Sequence, residues 1–304
     1  MLGSALRPAT LPAARLMGDL PLTLPVAFSG EPGAFAEDAV IARFGEAPTL
    51  PVGSFRDVFT AVTDGRAVAG VVPIENLLNG SVRENFDLLL EHDLEVVGEA
   101  IVPVRLCLAT LPGQRIEDIG RVYSHVQALG QAEAFLRTRS WATLTTYNTA
   151  GAGKLIRDAG ERGAAAVLSP RAAGLFGLEV LADDIQGSAD NRTRFLVVTR
   201  PGEARDPVLD GAADGPRRTT LVFAVRNEPG TLLAALSAFA DHMVNLSSLE
   251  SRPSRAAAWE YVFWADLDAD AADPACAAAL RDLAMVTTMV RVLGSYRSAE
   301  DDRG

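Results

Sequence analysis

The chain has 304 residues, of which 48% are hydrophobic and 22% charged, a composition typical of one large or two medium-sized globular domains. Its 28 Lys and Arg residues against 39 Asp and Glu give a formal net charge of −11, which disfavours nucleic acid as a partner. No stretch approaches the roughly 18 uninterrupted apolar residues of a membrane helix, so a membrane-spanning role is excluded.

Short apolar strands alternate with helical stretches over residues 24–200, which is typical of α/β proteins. The preceding residues 1–23 lack the continuous apolar core of a secretory signal, and we expect a disordered extension there. The pattern predicts one lobe over 24–103 that is completed by 189–200, and a second lobe over 104–188. A cleft between two such lobes is where we expect a ligand to bind.

A second, smaller domain follows a linker. Residues 201–218 are rich in Pro, Gly, Asp and Ala without apolar periodicity, which indicates the linker. Residues 219–297 then read as strand, helix, two strands, helix and strand, and 298–304 form a short tail. This βαββαβ order predicts a ferredoxin-like domain with its helices on one face of the sheet and the other face free for a partner.

Cysteine and histidine are scarce and scattered. Cys107 and Cys276 lie in separate apolar segments, which predicts two buried, reduced thiols in a cytoplasmic protein. His92, His125 and His242 are isolated from one another and from the cysteines, so no metal-ligand spacing occurs and we expect no structural metal.

Polar residues and glycines stand at the ends of four predicted strands, where a packed core would exclude them. They occur in segments 28–35, 71–82, 123–129 and 190–195. Any one segment alone is weak evidence of a ligand site, because glycine also occurs in tight turns and a lone histidine usually has a structural role. Four such segments in one α/β domain indicate a ligand site at the edge of the sheets.

These segments resemble the prephenate dehydratase family, including its arogenate dehydratase relatives, and residues 219–297 resemble the phenylalanine-binding kind of ACT regulatory domain. The resemblance runs from about Val26 to Tyr296. It implies a monofunctional enzyme with a two-lobed catalytic domain like type II periplasmic binding proteins, followed by a ferredoxin-like ACT domain. The residues that carry it are 29–34 (SGEPGA), 73–76 (PIEN), Gly80-Ser81, Ser124-His125, 127–129 (QAL), Thr149-Ala150, 193–195 (TRF), 227–233 (NEPGTLL) and 250–253 (ESRP).

The resemblance implies a carbon-oxygen lyase that converts prephenate to phenylpyruvate with loss of water and carbon dioxide, in phenylalanine biosynthesis. Phenylalanine is then the expected allosteric effector, and a homodimer or homotetramer is the expected assembly. Because the substrate becomes aromatic, the reaction requires no cofactor, metal or covalent nucleophile. The protein must instead hold a dicarboxylate, assist departure of the ring hydroxyl and exclude water.

The catalytic residues that the resemblance implies are Thr193, Arg194, Ser124 and His125. Thr193 is expected to donate a hydrogen bond or proton to the leaving hydroxyl, and His125 is the rival general acid. Arg194 is expected to bind a substrate carboxylate, since a guanidinium matches that geometry. The predicted substrate-binding residues are Glu75, Asn76, Gly80, Ser81, Gln127, Thr149, Ala150 and Phe195, with Glu75 either orienting donors or serving a structural role.

The predicted phenylalanine site lies in the ACT domain. There Gly230 permits close backbone approach, and Leu232 and Leu233 offer an apolar wall. The residues assigned to this site are Pro229, Gly230, Thr231, Leu232, Leu233, Asn245, Leu246, Glu250, Ser251, Arg252 and Pro253.

The chain departs from the family pattern at four positions. Leu77 replaces a usual Ser, Val126 a usual Pro and Thr231 a usual Ala, while Arg192 stands where an apolar residue is common. An inward Arg192 would favour carboxylate binding, and an outward one would be a solvated charge. Leu77 leaves the choice of substrate open, so arogenate dehydratase is the alternative activity. A non-catalytic amino-acid sensor is the alternative from another class, since two-lobed folds also bind solutes.

Overall fold

The computed structural model describes residues 24–203, 215–253 and 261–299. The extension predicted over 1–23 and most of the predicted linker lie outside the described residues. No helix in the three described ranges is long and apolar enough to cross a membrane.

Described residues 24–203 contain eleven strands, seven α-helices and one short 3-10 helix (Ile116–Asp118). The strands are β1 (Val26–Ser29), β2 (Thr49–Val52), β3 (Ala69–Asn76), β4 (Gly80–Ser81), β5 (Glu95–Pro103), β6 (Cys107–Thr110), β7 (Arg121–Ser124), β8 (Ala142–Thr145), β9 (Ala164–Leu168), β10 (Glu179–Ala182) and β11 (Arg192–Thr199). The helices are α1 (Phe35–Phe44), α2 (Phe55–Thr63), α3 (Arg83–Glu91), α4 (Val126–Gln131), α5 (Glu133–Leu136), α6 (Thr149–Ala159) and α7 (Pro170–Leu175).

Two sheets of corresponding design form the two lobes. The first has the order β2-β1-β3-β11-β5, with β4 paired to the end of β3, and the second has the order β10-β6-β9-β7-β8. In the first sheet β1 runs parallel to β2 and β3, whereas β11 returns from the second lobe and lies antiparallel between β3 and β5. This confirms the two-lobed α/β arrangement predicted from the alternating pattern.

The register of β3 against β11 changes near the carboxyl end of β3. Thr193 pairs with Asn76 and Arg194 with Glu75, but Phe195 pairs with Pro73, so Ile74 is an additional residue. A bulge of this kind turns the side chains that follow it to the other face of the sheet. As a result Asn76 and Thr193 share one face, and Glu75 and Arg194 share the opposite face.

The lobes also touch each other beyond their two crossing segments. The Ser169 hydroxyl caps α7 and donates to the carbonyl of Gly33 at 3.1 Å. Arg171 on α7 forms an ion pair with Glu37 at 2.7 Å. A β-carbon added at Gly33, where φ is +90°, would lie 2.8 Å from Ala172. Glycine at this strand-to-helix turn therefore permits both the left-handed backbone and the close approach of the lobes.

The C-terminal domain has the predicted βαββαβ order. Its elements are β12 (Arg217–Ala224), α8 (Thr231–Asp241), β13 (Leu246–Pro253), β14 (Tyr261–Leu267), α9 (Pro274–Val286) and β15 (Met289–Arg297). The antiparallel sheet has the order β13-β14-β12-β15, and both helices cover one face over a core that includes Phe223, Phe239 and Leu283. The ferredoxin-like prediction is confirmed.

The other face of this sheet is not free, which corrects the expectation from the sequence. Trp264 and Tyr296 on that face belong to one buried cluster with Phe86 and Leu196 of the N-terminal lobe, and Phe86 meets Trp264 edge to face at 4.9 Å. A β-carbon added at Gly294 would overlap the carbonyl oxygen of Val96, so β15 and β5 approach at backbone distance. The apolar residues of this sheet face are buried within the chain itself.

Candidate active site

The amide of Asn76 orients the hydroxyl of Thr193. The Asn76 Oδ1 atom accepts the backbone N–H groups of Leu78 and Asn79 at 3.1 and 2.9 Å, which fixes the amide nitrogen on the other side. That nitrogen lies 3.0 Å from Thr193 Oγ1. Because an amide N–H can only donate, the Thr193 oxygen accepts, and the hydroxyl proton remains available to a ligand.

Asn191 completes this group, although the prediction from the sequence gave it no role. Its Oδ1 accepts from Asn76 Nδ2 at 2.8 Å, and the residue is fully buried. Its own amide nitrogen has no hydrogen-bond partner among the described residues. A buried donor left unpaired costs about 1–3 kcal/mol, which a ligand oxygen would offset. The signal in the sequence is the position of Asn191 two residues before Thr193, on the same alternating face.

Ser124 and His125 lie in the second lobe, where β7 ends and α4 begins. The buried Ser124 hydroxyl donates to the carbonyl of Val167 at 2.6 Å, so its proton is already used. His125 caps α4, and its Nδ1 accepts from the backbone N–H of Gln127 at 3.4 Å. Burial lowers the pKa of His125 below its ordinary value, which leaves the ring neutral at pH 7 and a weak candidate for general acid.

The start of α6 supplies backbone donors on the side of the second lobe that faces Gly30 and Glu31 of the first lobe. Asn148 caps this helix by accepting the N–H of Gly151 at 2.5 Å. Thr149 is partly exposed at the first turn, whereas Ala150 is buried in the core of the lobe. The N-terminal turn of a helix of this length attracts a carboxylate.

A bridge between the lobes lies next to α6. Glu31, which follows β1, accepts from Lys154 at 2.8 Å and from the Tyr147 hydroxyl at 2.9 Å. The hydrogen bond from Lys154 is the main cause that lowers the pKa of Glu31, and burial together with Glu31 raises the pKa of Tyr147 to about 12. Near neutral pH Glu31 is therefore ionised and the Tyr147 hydroxyl keeps its proton, so the hydrogen bond between them is maintained.

Arg194 does not point into this site. Its Nε donates to Glu99 at 2.6 Å, its Nη1 to Asp266 at 2.5 Å and its Nη2 to the Tyr296 hydroxyl at 3.0 Å. All three nitrogens are thus engaged at the contact with the C-terminal domain. The expectation that Arg194 binds a substrate carboxylate does not fit this geometry, because neighbouring residues of a strand point to opposite faces.

Two predicted substrate-binding residues share the Arg194 side of the sheet. Glu75 and Ser81 line a cavity of about 140 Å³ between the two domains, together with Arg194. The Ser81 hydroxyl donates to Glu250 of the C-terminal domain. Another predicted substrate-binding residue, Phe195, is 2% exposed and packs in the core of the first lobe. None of these three joins the Thr193 group.

The remaining predicted positions are at the surface. Gly80 is exposed at the start of β4 with a φ of +73°, and Gln127 is exposed at the first turn of α4. Of the departures from the family pattern, Leu77 and Val126 are 65% and 60% exposed. Arg192 is exposed as well, which corresponds to a solvated charge rather than a carboxylate ligand.

The predicted effector residues fall into two groups. Pro229, Gly230, Thr231, Leu232 and Leu233 form the start of α8, where Gly230 has a φ of +87° and Leu233 is 70% exposed.

The second group follows α8. Asn245 donates to Asp268 at 2.7 Å, and Leu246 packs on the domain core. Glu250, Ser251, Arg252 and Pro253 lie on the edge strand β13, where Arg252 contacts Asp87 of the first lobe at 3.3 Å. This edge therefore faces the N-terminal domain.

The fold and the site together define a two-lobed α/β enzyme domain that is followed by a domain of the ACT type. A family model described as Prephenate dehydratase matches residues 26–203, and one described as ACT domain matches residues 219–284. The chain belongs to the prephenate dehydratase family and is a dehydratase, that is, a lyase.

Plant enzymes are among the most similar relatives. Arogenate dehydratase 5 of Arabidopsis thaliana, a chloroplastic protein, is 40% identical over 292 residues, covering 90% of this chain and 67% of the relative. Arogenate dehydratase/prephenate dehydratase 2 of the same plant, also chloroplastic, is 40% identical over 280 residues, covering 89% and 72%. These names leave the choice between the two substrates open for this chain.

Solved structures give the same fold. The prephenate dehydratase of Arthrobacter aurescens, in complex with L-Phe, is 33% identical with a TM-score of 0.81, and 91% of each chain is covered. GqqA, described as a novel type of quorum quenching acylases, is 32% identical with a TM-score of 0.82, covering 91% of this chain and 99% of the other.

Proposed function

We propose that the chain is a prephenate dehydratase that forms phenylpyruvate, and that phenylalanine regulates it through the ACT domain. The observation that carries the proposal is the fixed amide of Asn76, which leaves the Thr193 hydroxyl as a donor beside the Asn191 amide nitrogen, a group with no partner among the described residues. The family match over residues 26–203 supports the reaction class.

The proposed reaction is a concerted or stepwise loss of carbon dioxide and hydroxide. The bond between the ring and its carboxylate breaks, its electron pair enters the ring, and the carbon-oxygen bond opposite breaks. Thr193 donates a hydrogen bond to the departing oxygen, which leaves as hydroxide and takes up a proton from solvent to become water. The donor group of Asn191 and the N-terminal turn of α6 supply partners for substrate oxygens. The lobes hold the substrate and exclude water.

Arogenate is the second candidate substrate, because curated relatives carry both activities in their names. It differs from prephenate by an amino group in place of the keto group of the side chain. We expect residues near that side chain to decide between prephenate and arogenate. Leu77, which replaces a usual Ser of the family, leaves this choice open. We retain prephenate as the preferred substrate.

The regulatory part of the proposal rests on the ACT domain and on a phenylalanine complex of a structural relative. We propose the residues 229–233, 245–246 and 250–253 as effector-binding, and a homodimer or homotetramer as the assembly.

A cytoplasmic location remains our proposal, although the curated relatives named above are chloroplastic. We keep the domain limits 24–200 and 219–297 as predicted, and an amino-acid sensor without activity as the alternative from another class.

The test is product formation by the purified chain with prephenate and arogenate in parallel, each with and without phenylalanine. Phenylpyruvate from prephenate, at a rate that phenylalanine changes, supports both halves of the proposal. Formation of phenylalanine from arogenate, with no product from prephenate, assigns arogenate dehydratase activity instead. Binding of phenylalanine without turnover of either substrate supports the sensor.

A further inference from the structure

A buried ion cluster joins the two domains directly behind Thr193. Arg194 and Glu99 come from β11 and β5, and Arg218, Asp266 and Tyr296 come from the C-terminal sheet. Glu99 lies 2.6 Å from Arg194 and 2.9 Å from Arg218. The exposed fractions of the Glu99, Arg218 and Asp266 side chains are 0%, 4% and 9%, and that of Arg194 is 14%. Two cations are thus balanced by two anions away from solvent.

Within this cluster a closed ring of hydrogen bonds surrounds Arg194. Arg194 donates to Asp266 and to the Tyr296 hydroxyl, and Thr220 Oγ1 lies 2.6 Å from both Tyr296 Oη and Asp266 Oδ1. Burial raises the pKa of Tyr296, so the phenol keeps its proton and can donate to Thr220. Removing one partner from the buried Arg194–Asp266 pair would leave an uncompensated charge, so the two domains are held together at this point.

The ring acts on the strand that carries the proposed donor. Arg194 follows Thr193 directly on β11, and the two side chains point to opposite faces because of the strand's alternation. A displacement of the C-terminal domain therefore pulls on the peptide that places Thr193 opposite Asn76. An error of about 1 Å in the position of a reacting group can cost about a hundredfold in rate.

A second contact reaches the same end of β3. Glu250 on the edge strand β13 accepts from Ser81, and Ser81 pairs with Glu75, the residue before Asn76. The C-terminal domain therefore contacts both strands that carry the Asn76 and Thr193 pair. The contacts with Arg194 and Ser81 lie on the face away from the Thr193 hydroxyl.

We propose that Arg194 is a positioning residue for Thr193, and that the ring of Arg194, Asp266, Tyr296 and Thr220 transmits the state of the regulatory domain to the catalytic hydroxyl. This inference rests on the proposed function. It assigns Arg194 no contact with substrate, because its three guanidinium nitrogens are bonded to Glu99, Asp266 and Tyr296.

The test uses substitutions on the regulatory side of the ring, which is remote from the substrate in this assignment. Tyr296→Phe and Thr220→Val remove one hydroxyl each and keep every charge, and Tyr261→Phe is the matched control because Tyr261 lies on the same sheet outside the ring. Steady-state kinetics of the full-length proteins, with and without phenylalanine, follow circular dichroism and gel filtration that establish a native fold.

We expect Tyr296→Phe and Thr220→Val to lower kcat by about three- to tenfold, the rate equivalent of one hydrogen bond, with KM within about twofold of wild type. Both should also weaken the response to phenylalanine. Arg194→Gln should lower kcat further, Arg194→Lys should restore part of it, and adding Tyr296→Phe to Arg194→Gln should cause no additional loss. Tyr261→Phe should behave as wild type.

A raised KM in Arg194→Gln, together with wild-type kinetics in Tyr296→Phe and Thr220→Val, would return Arg194 to substrate binding and overturn the inference. Should Arg194→Gln fail to fold, the two hydroxyl variants decide the matter by themselves. A wild-type protein inactive on both prephenate and arogenate would overturn the proposed function and the inference with it. An active wild type with unaffected hydroxyl variants would overturn only the inference.

Discussion

Replacing Asn76 by Asp exchanges the amide nitrogen for an oxygen and reverses the hydrogen bonding around Thr193. The retained Oδ1 can still accept from the N–H groups of Leu78 and Asn79. The new carboxylate oxygen, however, faces the Asn191 carbonyl and the Thr193 hydroxyl, and it can only accept a hydrogen bond. The Thr193 hydroxyl is then expected to rotate toward the carboxylate and to stop donating to the substrate.

The expected loss in kcat is about 10²- to 10⁴-fold, the range for a positioned proton donor, which corresponds to about 3–5 kcal/mol. The loss should depend on pH. Below the pKa of the introduced carboxyl group, its protonated form can donate to Thr193 again, so relative activity should rise as the pH falls. The assay is a pH profile of kcat with the proposed substrate for wild type and Asn76→Asp.

Asn85→Asp is the matched control, because Asn85 is also buried in the same lobe and its amide donates to the carbonyl of Pro73 at 2.6 Å. It should lose stability without gaining activity at low pH. Wild-type kcat in Asn76→Asp, or the same loss and the same flat profile in both variants, would refute the assigned orientation of the Thr193 hydroxyl.

Three further predictions test the domain contact, the histidine and the bridge between the lobes. Gly294→Ala places a β-carbon against the Val96 carbonyl oxygen, so thermal unfolding should begin at a clearly lower temperature, and an unchanged Tm would contradict the close docking. Because folding lowers the pKa of His125, the unfolded chain binds more protons as the pH falls through about 6.5. His125→Asn, which keeps a capping side chain, should therefore lose less stability than wild type between pH 7 and pH 5 in urea unfolding, and equal losses would count against a buried neutral ring. Glu31→Gln and Lys154→Met should each raise KM by about two- to fivefold, as expected for one partly exposed ion pair, and the double variant should be no worse than either single variant; additive effects would show that the two residues act independently.

Much of the fold follows from periodicity in the sequence. The alternation of strands and helices predicted both lobes and the return of the strand before residue 200, and the βαββαβ order predicted the C-terminal domain. These patterns are local, and each element shows its own apolar face. They do not identify what covers that face, which is why the sheet surface around Trp264 and Tyr296 was expected to be free and instead packs on Phe86 and Leu196.

The candidate site was predicted in part, and the reasons differ by residue. Asn76 and Thr193 come together because their strands are neighbours in the sheet. Glu75 and Arg194 were expected beside them, but the bulge at Ile74 and the alternation of β11 turn both side chains to the C-terminal domain. A bulge depends on the pairing of two distant strands, so no pattern within residues 71–82 reveals it.

Asn191 was missed for a related reason. Its importance lies in an amide without a partner among the described residues, which is a property of the packed structure rather than of the residue type. Position alone gives a weaker signal, because asparagine is common in the turns that precede strands.

Assistance by the Thr193 hydroxyl in the departure of a hydroxyl group from prephenate is the centre of the proposed mechanism. The most direct measurement is phenylpyruvate formation by wild type, Thr193→Val and Thr193→Ser at equal concentrations of native protein, with Thr199→Val at the other end of β11 as the control. We expect Thr193→Val to be slower by about 10²-fold or more, with Thr193→Ser retaining most of the activity and Thr199→Val turning over normally. Turnover by Thr193→Val at the wild-type rate would contradict the mechanism.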